Sequence, residues 1–118
     1  MFEIKVRDEF CGAHNLRGYK GKCEGLHGHN WKVEVKLRKN TLNSQGMVMD
    51  FKELKALLRG VLSDLDHKHL NELRYFKKIN PTSENTARFI HEELSKRIKK
   101  KIKVSVWETE NSCASFEK

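Results

Sequence analysis

HGHNWKVEVKLR, residues 27 to 38, is the stretch on which the fold turns. Trp31, Val33, Val35 and Leu37 alternate with Lys32, Glu34, Lys36 and Arg38, the period-two pattern of a half-buried strand. Carried back toward the N-terminus, the same parity puts His29 and His27 on the apolar side. Both imidazoles therefore leave the end of a core-facing row on one side, and Gly28 between them gives the backbone room. Cys23 and Glu24 lie just upstream. KCEGLHGHNW, residues 22 to 31, thus holds four groups able to bind a metal or move a proton.

The opening segment repeats the pattern. Phe2, Ile4 and Val6 oppose Glu3, Lys5 and Arg7, and Phe10 continues the even row, as Gly12 and His14 do if the chain stays extended. A second strand thereby delivers a third imidazole on the apolar side. After the polar, turn-forming Asn40 to Gly46 the period changes. Phe51, Leu54, Leu58, Val61, Leu62 and Leu65 recur at three- and four-residue steps, a helical stripe. Asp50 and Glu53 have capping-box spacing at its start. Asn80-Pro81-Thr82-Ser83 opens another helix, with Ala87, Ile90, Leu94 and Ile98 on one face. Ile102, Val104 and Val106 then alternate with Lys103, Ser105 and Trp107, and a short strand is expected around Cys113 to Phe116. The order β-β-α-α-β-β predicts an α+β domain over residues 1–118. Its sheet is expected to be four-stranded, mainly antiparallel and covered on one face by two helices. Two open sheet edges make assembly through them plausible on physical grounds.

Composition narrows the function classes. The 118 residues are 37% hydrophobic and 34% charged, as in a folded protein with a heavily charged surface. No run approaches the ~20 apolar residues of a membrane span. MFEIKVRDEF reads as a strand and not as a signal peptide, so a cytoplasmic location is expected. Three cysteines, an odd number, suit core filling, metal ligation or reactivity better than a disulfide framework. The net charge of +8 favours anionic partners. KRIKKKIK, residues 96 to 103, reads as a solvated helix end, because no aromatic residues interleave with its lysines as a nucleic-acid site would require.

Three neutral imidazoles with one position open are an arrangement of catalytic zinc. Cys23 as fourth ligand would instead close a structural site, although C-x3-H-x-H lacks the usual zinc-finger spacing. In LDHKHLN, residues 65 to 71, Asp66 beside His67 could orient and charge an imidazole, but a helix-exit turn explains that stretch on its own. Glu108 continues the parity of Ile102, Val104 and Val106, so its carboxylate ends a core-facing row. Burying it is costly without donors. A guanidine-like edge with two parallel N–H groups would satisfy it, as would a cap or an edge salt bridge.

FCGAH at 10 to 14, CEGLHGH at 23 to 29, MDF at 49 to 51, LDHKHLN, NPTSEN at 80 to 85 and WET at 107 to 109 together resemble the 6-pyruvoyl-tetrahydropterin synthase and 6-carboxy-tetrahydropterin synthase family. The matches run in family order over nearly the whole chain. The resemblance implies the tunnelling fold, with β-β-α-α-β-β subunits forming barrel-like trimers that stack into a homohexamer with active sites at subunit interfaces. It implies zinc on His14, His27 and His29, and Cys23 as the general base, standing off the metal. Asp66 with His67 would tune that base. Glu108 would anchor the pterin's 2-amino and ring N–H edge, with Thr82 and Ser83 nearby. The implied substrate is 7,8-dihydroneopterin triphosphate, whose charge gives the surplus lysines a purpose without nucleic acid or membrane. C-x3-HGH in a short chain resembles the 6-carboxy-tetrahydropterin synthases of queuosine biosynthesis. Glu24 also gives E-x2-HGH, the pattern of relatives that cleave the side chain to 6-hydroxymethyl-dihydropterin, and is the alternative base. A 6-pyruvoyl-tetrahydropterin product is the other enzymatic alternative, and a structural zinc module or a basic nucleic-acid-binding module is the non-enzymatic one. Cys11-Gly12 replaces other small residues of the family, and Cys11 reads as core filler.

Overall fold

A computed structural model describes residues 1–21 and 25–118. Cys23 and Glu24 lie outside the described residues. Strand β1, Phe2–His14, pairs antiparallel with β2, His27–Lys39, over their whole length, from Phe2 opposite Lys39 to His14 opposite His27. Helix α1, Phe51–Leu62, follows the expected start, with Asp50 capping it by accepting the Lys52 amide at 2.8 Å. A two-residue strand β3, Lys68–His69, then lies parallel to β1 at Gly12 and Ala13. Helix α2 spans Ser83–Ser95, strand β4 spans Ile102–Thr109, and β5 spans Ser112–Glu117. The sheet order is β3-β1-β2-β4-β5, every pairing but β1–β3 being antiparallel. The four long strands and two helices follow the expected order. The fifth strand is an addition, made where the chain leaving α1 returns to the edge of β1.

Strand parity sorts the two faces. Val6, Phe10, Trp31, Val33, Val35, Leu37, Val104 and Val106 pack against Leu54, Leu58 and Leu62 of α1 and Ala87, Ile90 and Leu94 of α2. At the end of this core Phe10 stacks on Trp31, ring centroids 5.7 Å apart and nearly parallel. The Trp31 indole N–H donates to the Gly12 carbonyl at 3.0 Å. A β-carbon on Gly12 would meet the Phe10 ring at 3.1 Å, so the glycine of FCGAH gives the stack its room.

The helical stripes are trimmed at their ends. Phe51 is exposed and lines an open apolar groove with Phe2, Ile4 and Leu42, because the first residue of α1 overhangs the sheet. Leu65 and Ile98 are buried although each lies beyond the end of its helix. The basic run behaves as a solvated terminus, and the Lys99 ammonium reaches the Ser95 carbonyl at the end of α2. Among the described residues no helix is long and apolar enough to cross a membrane.

One core neighbour is titratable. His91 of α2 is buried edge-on against Phe116, with Ser95 3.3 Å from its ring nitrogen. Burial holds its pKa below the ordinary imidazole value, against the opposing pull of the Ile102 backbone. The unfolded chain therefore takes up this proton first as pH falls, so the stability His91 contributes is full above about pH 6.5 and declines below it. The urea midpoint should drop between pH 7.5 and pH 5.5, and His91→Gln should shrink that drop.

Candidate metal centre and active site

The register of β1 and β2 sets His14 opposite His27 and Gly12 opposite His29. All three imidazoles emerge on the helix-covered side, at the open end of the Phe10–Trp31 stack. His14 is buried and lies edge-on to Trp31 at 4.8 Å, while His27 and His29 are half exposed. On β4, Trp107 pairs with Lys32, so Glu108 arrives beside Trp31, at the same end. The β4–β5 register shifts between Trp107 and Thr109, and this irregularity straddles Glu108. Such bulges commonly re-aim a side chain.

The resulting contacts are short. Glu108 Oε1 lies 2.5 Å from His14 Nε2, 3.1 Å from His29 Nε2 and 3.6 Å from His27 Nε2. The other ring nitrogens of two of these histidines are already engaged. His14 Nδ1 donates to the Pro81 carbonyl at 2.7 Å, and His27 Nδ1 to the Gly25 carbonyl at 2.8 Å. A neutral imidazole that donates from Nδ1 has only a lone pair on Nε2. Burial lowers the pKa of His29, the Glu108 carboxylate opposing and the two neighbouring imidazoles adding to the shift, so this ring favours its neutral form. Among the described residues, His14 Nε2 and His29 Nε2 are buried without a hydrogen-bond partner. Lone pairs thus face a carboxylate, an arrangement that a cation resolves. Three nitrogens and an oxygen, all within 4.8 Å of one another, form a borderline donor set suited to a divalent ion such as zinc.

Asp66 and His67 form a separate cluster around Cys11. Asp66 Oδ1 accepts the Cys11 amide at 2.9 Å and lies 3.0 Å from His67 Nδ1, while Arg59 lies 3.6 Å from the other carboxylate oxygen. The Cys11 amide bond above all, helped by His67 and Arg59, holds the Asp66 carboxyl below its ordinary pKa. His67 has a left-handed backbone, φ 59°, and donates its amide to the Cys11 carbonyl. Its ring is mostly exposed. Cys11 is also exposed and its thiol donates to Asn30 Oδ1 at 2.9 Å, so it is not core filler. The odd parity of Cys11 puts it on the face opposite His14. There it borders an open cavity of about 590 Å³ with Asn30, His67 and Lys68.

The fold, the imidazole cluster and the motif order agree with the comparison that decides the family. The profile of the 6-pyruvoyl tetrahydropterin synthase family matches residues 3–118. The chain belongs to this family. It is 39% identical over 108 residues to a dihydroneopterin monophosphate aldolase of Pyrococcus furiosus, covering 89% of this chain and 88% of that protein. It is 30% identical over 140 aligned positions to a 6-carboxy-5,6,7,8-tetrahydropterin synthase of Haemophilus influenzae, covering 99% of each. The solved 6-pyruvoyl tetrahydropterin synthase of Caenorhabditis elegans superposes with a TM-score of 0.89 at 30% identity, covering 99% of this chain and 95% of that one. Structures of this family carry the tunnelling fold, and the chain has it.

Within that family fold, Thr82 is the N-cap of α2 and accepts the Asn85 amide at 3.1 Å, while Ser83 is the first helical residue. Pro81 beside them holds His14, which ties the start of α2 to the imidazole cluster. Three supports were not legible as site residues. Arg59 joins Asp8, the Glu9 carbonyl and Asp66. Asn71 brackets Asn15 with two backbone bonds of 3.0 and 2.9 Å, fixing the exit of β1. The Pro81 carbonyl is the third, and as main chain it has no residue-type signal.

The three histidines differ in their structural burden. In metal-free protein His14→Ala leaves a hole beside Trp31 and an unpaired Pro81 carbonyl, and should cost about 1–3 kcal/mol in urea unfolding. His27→Ala and His29→Ala, at half-exposed positions, should cost less than about 1 kcal/mol. All three should weaken uptake of a divalent ion by the cluster in an equilibrium titration.

Proposed function

We propose that the protein is a zinc-dependent lyase that converts 7,8-dihydroneopterin triphosphate to 6-carboxy-5,6,7,8-tetrahydropterin, releasing acetaldehyde and triphosphate, in queuosine biosynthesis. The observation that carries this reading is the cluster of three inward imidazoles with their Nδ1–H groups turned away on His14 and His27. His14, His27 and His29 would hold the ion, which when bound acts as a Lewis acid on the substrate's side-chain oxygens and makes the neighbouring C–H protons easier to remove.

This chain's own residues do the rest. Cys23, four residues before His27, is the base that takes a proton from a carbon bearing oxygen. A thiol is mostly protonated at neutral pH, so it needs a partner. Asp66, held ionised by the Cys11 amide, orients His67 through Nδ1 and leaves Nε2 to exchange a proton with that thiol. Glu108 would take the pterin's 2-amino and ring N–H edge. Thr82 and Ser83, at the start of α2 next to Pro81, would line the same pocket.

Asp66 and His67 pack around Cys11, whose side chain points away from this chain's own imidazoles, which supports a site completed by a neighbouring copy. Outside Gly12 and Ala13 the outer edge of β1 has no strand partner among the described residues, and β5 ends the sheet on the other side. Such edges favour strand-to-strand assembly, consistent with a homohexamer of two trimers. The surplus positive charge suits a triphosphate, and the reaction is placed in the cytoplasm.

Side-chain cleavage to 6-hydroxymethyl-7,8-dihydropterin, with Glu24 as base, is the second reading. The similarity to the Pyrococcus furiosus aldolase favours it. Incubation with 7,8-dihydroneopterin triphosphate and zinc separates the two: carboxy-tetrahydropterin with acetaldehyde supports the first, hydroxymethyl-dihydropterin the second, and an unchanged substrate refutes both. Cys23→Ala should retain one zinc per chain and lose turnover by about 10²-fold or more. Loss of metal together with folding would instead mark Cys23 as a structural ligand.

A further inference from the structure

We propose that Glu108 serves two partners in turn: in the substrate-free protein its carboxylate is the fourth ligand of the metal, and substrate takes it away. The second half rests on the pterin-anchoring reading above; the first stands on geometry alone. Glu108 Oε1 is within 3.6 Å of all three imidazole Nε2 atoms, and 2.5 Å from the most buried of them. A carboxylate has only lone pairs to offer, and the neutral imidazoles of His14 and His27, donating from Nδ1 to Pro81 and Gly25, present lone pairs as well. In their neutral forms His14 and His27 offer Glu108 no N–H, and among the described residues His14 Nε2 and His29 Nε2 are buried without a hydrogen-bond partner. A divalent cation among the four removes the repulsion and satisfies every group at once.

Glu108 is also built to leave. Its side chain is 28% exposed, so a ligand can reach it from outside. It sits within the β4–β5 register shift, where ladder bonding is interrupted and the strand can re-aim the side chain with least disturbance. An incoming edge with two parallel N–H groups offers the carboxylate a bidentate partner in exchange for the ion. The position it vacates is then open to the oxygens of the same substrate. The metal would thus stay closed to adventitious ligands until a molecule with the right edge is present. Binding reciprocity requires that an edge-only ligand, lacking side-chain oxygens, and the metal weaken each other's binding.

The test uses the full-length protein, zinc competition with a chelator, the Co2+ form for visible spectra, and unsubstituted pterin as the edge-only probe. Glu108→Gln should weaken zinc binding by on the order of 10- to 100-fold, while its metal-free unfolding midpoint stays near that of the parent. Glu110→Gln removes an equal charge from an exposed side chain two residues on, paired with Lys32, and should leave zinc affinity unchanged. Pterin should alter the Co2+ spectrum of the parent and lower its zinc affinity, and should do neither in Glu108→Gln. Parent-like zinc affinity in Glu108→Gln overturns the ligand role. A weakened zinc site whose Co2+ spectrum does not respond to bound pterin overturns the exchange. If the parent binds no pterin while Glu108→Gln still loses zinc affinity, the pterin reading of the site fails and the ligand role stands.

Discussion

Everything at the functional end of the molecule depends on the long antiparallel pairing of β1 with β2. Thirteen consecutive pairs lock His14 opposite His27 and Phe10 opposite Trp31. A slip of one residue would turn every one of these side chains to the other face, moving apolar groups into water and imidazoles away from one another. The stacked rings of Phe10 and Trp31, with the indole tied across to the Gly12 carbonyl, oppose that slip next to the site. Core and centre are therefore one construction. The apolar row that drives folding continues, without changing face, into the row of donor atoms.

That continuity explains why so much was legible in the chain itself. Alternation along HGHNWKVEVKLR and FEIKVRDEFCGAH placed all three imidazoles on the core side. The same parity carried Glu108 from Ile102, Val104 and Val106 to their end of the sheet. Local periodicity likewise marked both helices, with the Asp50 cap of the first and the Asn80 to Ser83 start of the second. What escaped was non-local or main-chain. Two residues cannot show a period, so β3 left no trace. Asp66 gains its meaning from an amide 55 positions away, and a helix-exit turn was the fair local reading of LDHKHLN. Cys11 was misjudged because a small soft side chain suggests a core, whereas its odd position on β1 sends it to the far face. Glu108 was read as meeting a ligand edge, a cap or an edge salt bridge; its position against the imidazoles requires three strands to be assembled.

The two polar clusters lie on opposite faces of the sheet. On the helix side a low-dielectric floor of Trp31 and Phe10 backs the imidazoles. On the far side, Asp66 and His67 are more open to water and braced by Arg59. A single chain thus presents the imidazole–carboxylate cluster and the Asp66–His67 pair on different faces.

The anchors of His14 and His27 deserve a last consequence. Both rings are oriented by main-chain oxygens, those of Pro81 and Gly25. No point substitution at either position deletes a carbonyl. The tautomers, and with them the basicity offered to an ion, are thereby insulated from genetic drift in the surrounding pocket. Side chains around the centre can diverge toward different pteridine products while the donors beneath them keep the same character, which suits a scaffold whose relatives carry the names of several reactions.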